Sequence, residues 1–343
     1  MEYPLIIGGS GFVGESLVSQ LVKEKTCKKI TVFDINIKDK GFTSVNYYKG
    51  DICDIERLRE VIRQNHSDVI FHMASPIHGL GKKIYEKVNV EGTKQVIRAA
   101  LYENVKVIIY TSSAGVVFNG KDLINVDETM PIPKGTMDAY NETKAEAERL
   151  ILEANGKNGL MTVAIRPSGI FGPGDAQLIP GMISVLKNRQ TRFRIGNNMN
   201  LFDFTYVDNV VHAHLLASQK LFSPEATNIS GQAFFITNGE PIYFWDFPST
   251  VWAYLGHVPS NIIHFPRYLG IIIAFIFEFF SFITRKEPDF TRFRVKLSCA
   301  NRYYNINKAR RLLDYSPIVN LDEGIKRSLK WIESKKNGLG LEL

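Results

Sequence analysis

Tyr140 and Lys144 stand four residues apart in the run Tyr-Asn-Glu-Thr-Lys, and Ala147, Leu150 and Ile151 continue a helical apolar pattern behind them. That spacing places a phenol and an ammonium on one helix face. A tyrosine ordinarily ionises near about 10, so a phenol that works as a base near neutral pH needs a cation beside it, and Lys144 is that cation. Exposed Tyr and Lys also meet this spacing by chance, so the pair gains meaning only from its company. Thr111-Ser112-Ser113 closes an apolar run, and its hydroxyls are expected at the carboxyl edge of a sheet, where open α/β folds bind ligands. One hydroxyl would hold a substrate oxygen while Tyr140 exchanges its proton and a bound acceptor takes a hydride.

The acceptor is indicated at the other end of the chain. Gly8-Gly9-Ser10-Gly11-Phe12-Val13-Gly14 follows the apolar Leu5-Ile6-Ile7 and precedes a helix in which Leu17, Val18, Leu21 and Val22 form one stripe. Glycines there allow a tight turn and close backbone approach to a pyrophosphate, whose charge the helix N-terminus meets. A plain turn would explain the glycines alone. Asp34, 20 residues after Gly14, sits where a carboxylate accepts ribose hydroxyls and repels a 2′-phosphate, which selects NAD over NADP. Asp51-Ile52 is expected to flank the adenine, with helix capping by Asp51 or Asp54 as an equally good local account. Ala74, Pro167 and Ile170 complete the expected cofactor contacts.

These groups must be positioned by regular elements. Candidate strands are Leu5 to Gly8, Ile30 to Asp34, Val45 to Tyr48, Val69 to Met73, Val105 to Thr111 and Met161 to Arg166, with helices between most of them. The alternation specifies a Rossmann-like, doubly wound parallel α/β sheet with strand order 3-2-1-4-5-6. From about Pro173 the rhythm breaks. The expected division is a nucleotide-binding domain over 1–172, to which some later segments return, and a smaller C-terminal substrate lobe over 173–343.

Composition agrees with a folded chain: 343 residues, 45% hydrophobic and 22% charged, close to ordinary globular usage. Three cysteines, Cys27, Cys53 and Cys299, support neither a disulfide framework nor a zinc site, so no metal is expected. The start Met-Glu-Tyr-Pro-Leu-Ile-Ile leaves no room for a secretory leader.

Taken together, these motifs resemble an extended short-chain dehydrogenase/reductase of the 3β-hydroxysteroid dehydrogenase branch. The similarity rests on Gly8 to Gly14, Asp34, Tyr110 to Ser113, Tyr140 and Lys144, Arg166 to Asp175, Phe204 to Val210, and Lys308-Ala309 through Tyr315-Ser316-Pro317 and Glu323-Gly324. Within the branch it is most similar to the decarboxylating sterol-4α-carboxylate 3-dehydrogenases, the run Phe290-Thr291-Arg292-Phe293-Arg294 included. The resemblance implies Ser113 as catalytic serine, Tyr140 as acid/base and Lys144 as the group that lowers the phenol's pKa and holds the nicotinamide ribose. Asn89 falls where such enzymes carry a helix asparagine, with a structural hydrogen bond as the alternative. The implied reaction is NAD-dependent oxidation of a 3β-hydroxyl to a 3-ketone with loss of the 4-carboxylate as carbon dioxide, in sterol biosynthesis. A 3β-hydroxysteroid dehydrogenase/isomerase, a sugar-nucleotide epimerase or reductase, and a non-catalytic NAD-binding protein are the competing readings. The resemblance also implies a homodimer and membership of a sterol-demethylation complex.

Two further features concern location. Tyr268 to Ile283 is an apolar, Phe-rich run bracketed by Arg267 and Arg285-Lys286 and interrupted by Glu278. As a helix its sixteen residues reach roughly 24 Å, short of a hydrocarbon core of roughly 30 Å. Embedding in one leaflet is preferred over a buried lobe helix or a span. The net charge of +7 resides in the segment from Arg285 to Lys336, where 14 basic residues face 6 acidic ones. A basic stretch beside an apolar segment suits an anionic membrane surface better than nucleic acid, for which charge is the sole argument. The expected location is the cytosolic face of the endoplasmic reticulum membrane.

Overall fold

The computed structural model describes residues 1–37, 41–135, 138–284 and 291–337; Arg285 and Lys286 lie outside them. Seven parallel strands build the main sheet: β1 (Pro4–Ile7), β2 (Ile30–Asp34), β3 (Val45–Lys49), β4 (Val69–His72), β5 (Val107–Thr111), β6 (Met161–Pro167) and β7 (Gln232–Ile236). Their order is β7-β6-β5-β4-β1-β2-β3, so the expected 3-2-1-4-5-6 arrangement holds and gains a seventh strand from beyond residue 172. The four inner runs from β1 to β5 are buried along nearly their whole length, as strands covered by helices on both faces must be.

Helices supply those covers. On one side lie α1 (Phe12–Glu24) and, later in the chain, Val207–Leu221; on the other lie Ile55–Asn65, Thr93–Tyr102 and Ala139–Glu153. In chain order after α1 they are named α2 (Ile55–Asn65), α3 (Thr93–Tyr102), α4 (Ala139–Glu153) and α5 (Val207–Leu221). The stripe on α1 reads as expected: Leu17, Val18 and Leu21 are buried. Two separate apolar cores result, one containing Ile6, Val32, Phe71 and Ile109, the other Leu5, Ile7, Ile70 and Ile108, because successive strand residues point to opposite faces.

A third core, centred on Phe171, Phe204, Phe247 and Trp252, fills the remaining lobe. A small four-stranded sheet links that lobe to the nucleotide half. In it Arg302–Tyr304 lies between Leu123–Val126 and Leu201–Phe202. Helix α6 (Arg267–Thr284) runs along the surface and packs on α7 (Arg292–Cys299).

Candidate active site

The glycine loop is cut to fit a close-lying ligand. Gly8 has φ +84°, and a Cβ there would stand 2.6 Å from the Ala74 amide nitrogen; a Cβ on Gly14 would overlap the Gly8 carbonyl. Gly11 donates its amide to Gly8 O at 3.1 Å and α1 begins at Phe12, so the first-turn amides of a 13-residue helix open onto the loop. Ser10 and Val13 stand in the loop and first turn, both partly exposed. Asp34 ends β2 beside it: its two oxygens accept the Ser10 and Asn36 amides, each at 3.0 Å. An ionised carboxylate has about four acceptor positions, which leaves room for ribose hydroxyls. The cradle, the helix end and the acid together fit an NAD-type dinucleotide.

Other expected cofactor contacts divide. Ala74 borders Gly8, and Pro167 and Ile170 stand where β6 ends and a short bridge to Thr205 begins. Asp51 accepts the Cys53 amide at 2.9 Å and the Lys87 ammonium at 2.8 Å. The helix cap is Asp54, which accepts the Arg57 amide. Ile52 is buried and packs against Gly92.

The hydroxyl run behaves differently from expectation. Thr111 turns its hydroxyl inward to His214 Nε2 at 2.8 Å, and Ser112 is buried with its Oγ unpartnered among the described residues. Only Ser113 is half-exposed; its Oγ accepts the Gly115 amide at 3.0 Å. A strand sends alternate side chains to opposite faces and breaks the pattern where it ends, so one hydroxyl rather than three reaches the crevice. A Cβ at Gly115 would overlap Asn141 Oδ1, so a larger residue there would have to displace that side chain.

Helix α4 brings the phenol and the ammonium to this edge. Asp138 caps it by accepting the Asn141 amide at 2.9 Å. Lys144 is buried, donates to Thr111 O at 2.5 Å and lies 4.2 Å above the Tyr110 ring. Burial lowers its pKa to about 7, with the charge of Glu148 opposing. Tyr140 is half-buried beneath His78, ring centroids 3.9 Å apart, and meets Tyr85 edge-on at 5.6 Å. Burial pushes its phenol above the usual tyrosine range. Among the described residues the ammonium is engaged with the Thr111 carbonyl and the Tyr110 ring, one helical turn from the phenol. Asn89 donates to Thr143 Oγ1 at 3.0 Å, the structural alternative.

Two neighbours were not readable as site residues. His78 comes from a loop some sixty residues upstream of Tyr140. Its pKa is held below the usual imidazole value by desolvation first, with Asp138 opposing and the charges of Arg294 and Arg302 adding to the depression. Arg302 is buried between the Phe118 and Phe202 rings, 4.6 and 5.2 Å from its guanidinium carbon, and its Nε has no partner among the described residues. Two residues on, Tyr304 donates its hydroxyl to Ala114 O at 3.2 Å, next to Ser113. Residues two apart in a strand share a face, so Arg302 looks toward the same crevice.

A dinucleotide cradle at the carboxyl edge of a doubly wound sheet, joined there by a serine, a tyrosine and a lysine, defines the short-chain dehydrogenase class. The chain belongs to the 3-beta hydroxysteroid dehydrogenase/isomerase family, whose model matches residues 5–267. It is 50% identical over 336 residues to the decarboxylating sterol-4-alpha-carboxylate 3-dehydrogenase of Schizosaccharomyces pombe, covering 97% of this chain and 98% of that one. The corresponding protein of Saccharomyces cerevisiae is 46% identical, covering 96% and 97%, and that of Mus musculus 38%, covering 95% and 89%. Among solved structures, a dTDP-glucose 4,6-dehydratase from Bacillus anthracis in complex with NAD superposes with a TM-score of 0.74 at 19% identity over 98% of each chain. A UDP-glucose 4-epimerase from Thermotoga maritima gives 0.72 at 19%, covering 97% and 99%. At that identity these two speak to the fold alone.

Proposed function

We propose that the protein oxidises the 3β-hydroxyl of a 4α-carboxysterol with NAD and releases the 4-carboxylate as carbon dioxide. The observation that carries this reading, beside the relatives' names, is Arg302: a buried cation with an unpartnered Nε, on the face that meets the Ser113 segment. Leaving a buried guanidinium without an acid is costly, and a carboxylate brought in by the substrate would supply the missing partner in a charge-assisted bond. A neutral sterol or a UDP-hexose such as UDP-glucose lacks that group next to its reacting hydroxyl.

In the reaction Ser113 positions the 3-hydroxyl and Tyr140 takes its proton; bound NAD supplies the hydride acceptor. Gly8, Gly11 and the amides of α1 would hold its phosphates, and Asp34 its adenosine ribose. The resulting ketone is β to the carboxylate. Carbon dioxide then leaves with the C4 bond electrons passing into a C3 enolate, whose oxyanion faces Ser113 and Tyr140. His78 packs against the Tyr140 ring beside the site. The test is a substrate panel: NADH should form with a 4α-carboxysterol, far less with the matching neutral 3β-hydroxysterol and not with UDP-sugars. Equal rates with the neutral sterol would overturn the assignment.

The same reading places the enzyme on a membrane surface, at the cytosolic face of the endoplasmic reticulum, with its sterol substrate in the adjoining leaflet. Supporting this, α6 exposes Ile272, Phe275, Ile276, Phe279 and Phe280, each 46–59% accessible, while no helix among the described residues is long and apolar enough to cross a membrane. A homodimer and a sterol-demethylation complex remain part of this proposal through the resemblance alone.

A further inference from the structure

Counting by fours along α4 from Tyr140 passes through Lys144 and reaches Glu148, so the three side chains line one helical face. Glu148 is fully buried and is gripped by Arg166 of β6, whose Nε and Nη2 donate to its two oxygens at 2.9 and 2.5 Å. Arg166 is buried too and stacks on Phe235 at 5.2 Å. Among the described residues, Glu148 is the acid whose charge acts on the lysine. His72 of β4 and His214 of α5 are kept neutral by burial, at about 3 and about 4; Tyr110 of β5 lies beneath the ammonium; Tyr140 shares the helix. The charge of Glu148 acts on Lys144 from one helical turn away rather than through a direct ion pair, and Arg166 shares it.

We propose that Glu148 and Arg166 act as a positioning pair that sets the charge of Lys144, Glu148 holding the ammonium protonated and Arg166 limiting how much of that carboxylate's field reaches it. This rests on the reading of Lys144 as part of the proposed active site. It assigns a role to an ion pair that touches neither substrate nor cofactor. Burial alone would strip the proton from a lysine at neutral pH, and a full unshared carboxylate would lock it in the charged form. With burial lowering it and the charge of Glu148 opposing, the lysine lies near its midpoint at about 7, the range in which small changes at the site alter its charge most.

The test uses full-length protein labelled with 13C at lysine Cε, the Lys144 resonance being assigned by its loss in Lys144→Arg. In the wild type one lysine should titrate near neutral pH, apart from the rest. Glu148→Gln should move that midpoint down by about one pH unit, and Arg166→Lys, which keeps a cation but loses the two-pronged grip, should move it up by a few tenths. If Glu148→Gln does not fold, the upward shift in Arg166→Lys decides. A midpoint unmoved in the folded variants, or no lysine titrating below about pH 9, would overturn the proposal. Because the readout is independent of turnover, normal titration with no sterol oxidation would count against the proposed function and leave this pairing intact.

Discussion

At the scale of single residues, the chemistry concentrates on Ser113, Tyr140 and Arg302, each delivered by a different element. Tyr140→Phe removes the proton acceptor and leaves the nucleotide cradle untouched, so sterol oxidation should fall by at least about 100-fold while NAD binding, measured by calorimetry, stays near wild type. Undiminished turnover would remove Tyr140 from the mechanism. Arg302→Leu separates recognition from hydride transfer. It should raise KM for a 4α-carboxysterol by about 10- to 100-fold, the value of one charge-assisted contact, and leave the rate with a neutral 3β-hydroxysterol unchanged. A parallel loss with both sterols would show that Arg302 serves the fold only. Asp34 and the glycines could be read directly from spacing because backbone geometry dictates them. Arg302 could not: it sits in a three-residue strand, and nothing in Asn-Arg-Tyr-Tyr distinguishes a buried guanidinium from an exposed one.

Between elements, short strands do the positioning. The strand that carries Arg302 is tied to Leu201–Phe202 through Asp203, whose amide donates to Arg302 O at 3.0 Å and whose carboxylate accepts the Tyr304 amide at 2.9 Å. Burial pushes the Asp203 carboxyl up to about 7. The folded state therefore holds this proton where the unfolded chain has lost it, so the contribution to stability is complete below about pH 4 and is lost as pH rises to about 7. Asp203→Asn keeps an acceptor for Tyr304 without the charge. Its stability advantage over wild type, measured by urea denaturation, should widen between about pH 4 and 7 and level off above, reaching at most about 4 kcal/mol; a pH-independent difference would contradict the assignment. Six of the seven main strands and their order were legible in the alternation of apolar runs and helices. The seventh, Gln-Ala-Phe-Phe-Ile, was not, because its crossover runs through α5 and a stretch where the regular rhythm has already broken. Glu278 also becomes intelligible only here: with its oxygens on the Arg292 amide and guanidinium, at 2.8 and 2.6 Å, it fastens α6 to α7.

Across the whole molecule, α6 is the feature whose exposure demands an explanation. Gly270, Ala274 and Glu278 face inward at intervals of four, Gly270 against Ile195 and Val295, so the rest of the Phe-rich surface is turned outward. A buried lobe helix, one of the alternatives the sequence left open, does not describe it. Part of the basic stretch is engaged within the fold: Arg302 is buried, while Arg292, Lys326 and Arg327 pair with Glu278, Asp322 and Glu323. The exposed apolar face of α6 is the part of the molecule best suited to contact lipid. Replacing Ile272, Ile276 and Phe279 by Ser should cut flotation with phosphatidylcholine vesicles several-fold while leaving Tm and NAD binding unchanged. Retained flotation would place the attachment elsewhere.

The most direct measurement is stoichiometric. With a 4α-carboxysterol labelled at the carboxyl carbon, NADH and labelled carbon dioxide should appear in a one-to-one ratio, and neither should form with Tyr140→Phe. NADH produced without carbon dioxide, the labelled carboxyl remaining on the 3-ketone, would contradict the proposed coupling of oxidation to decarboxylation.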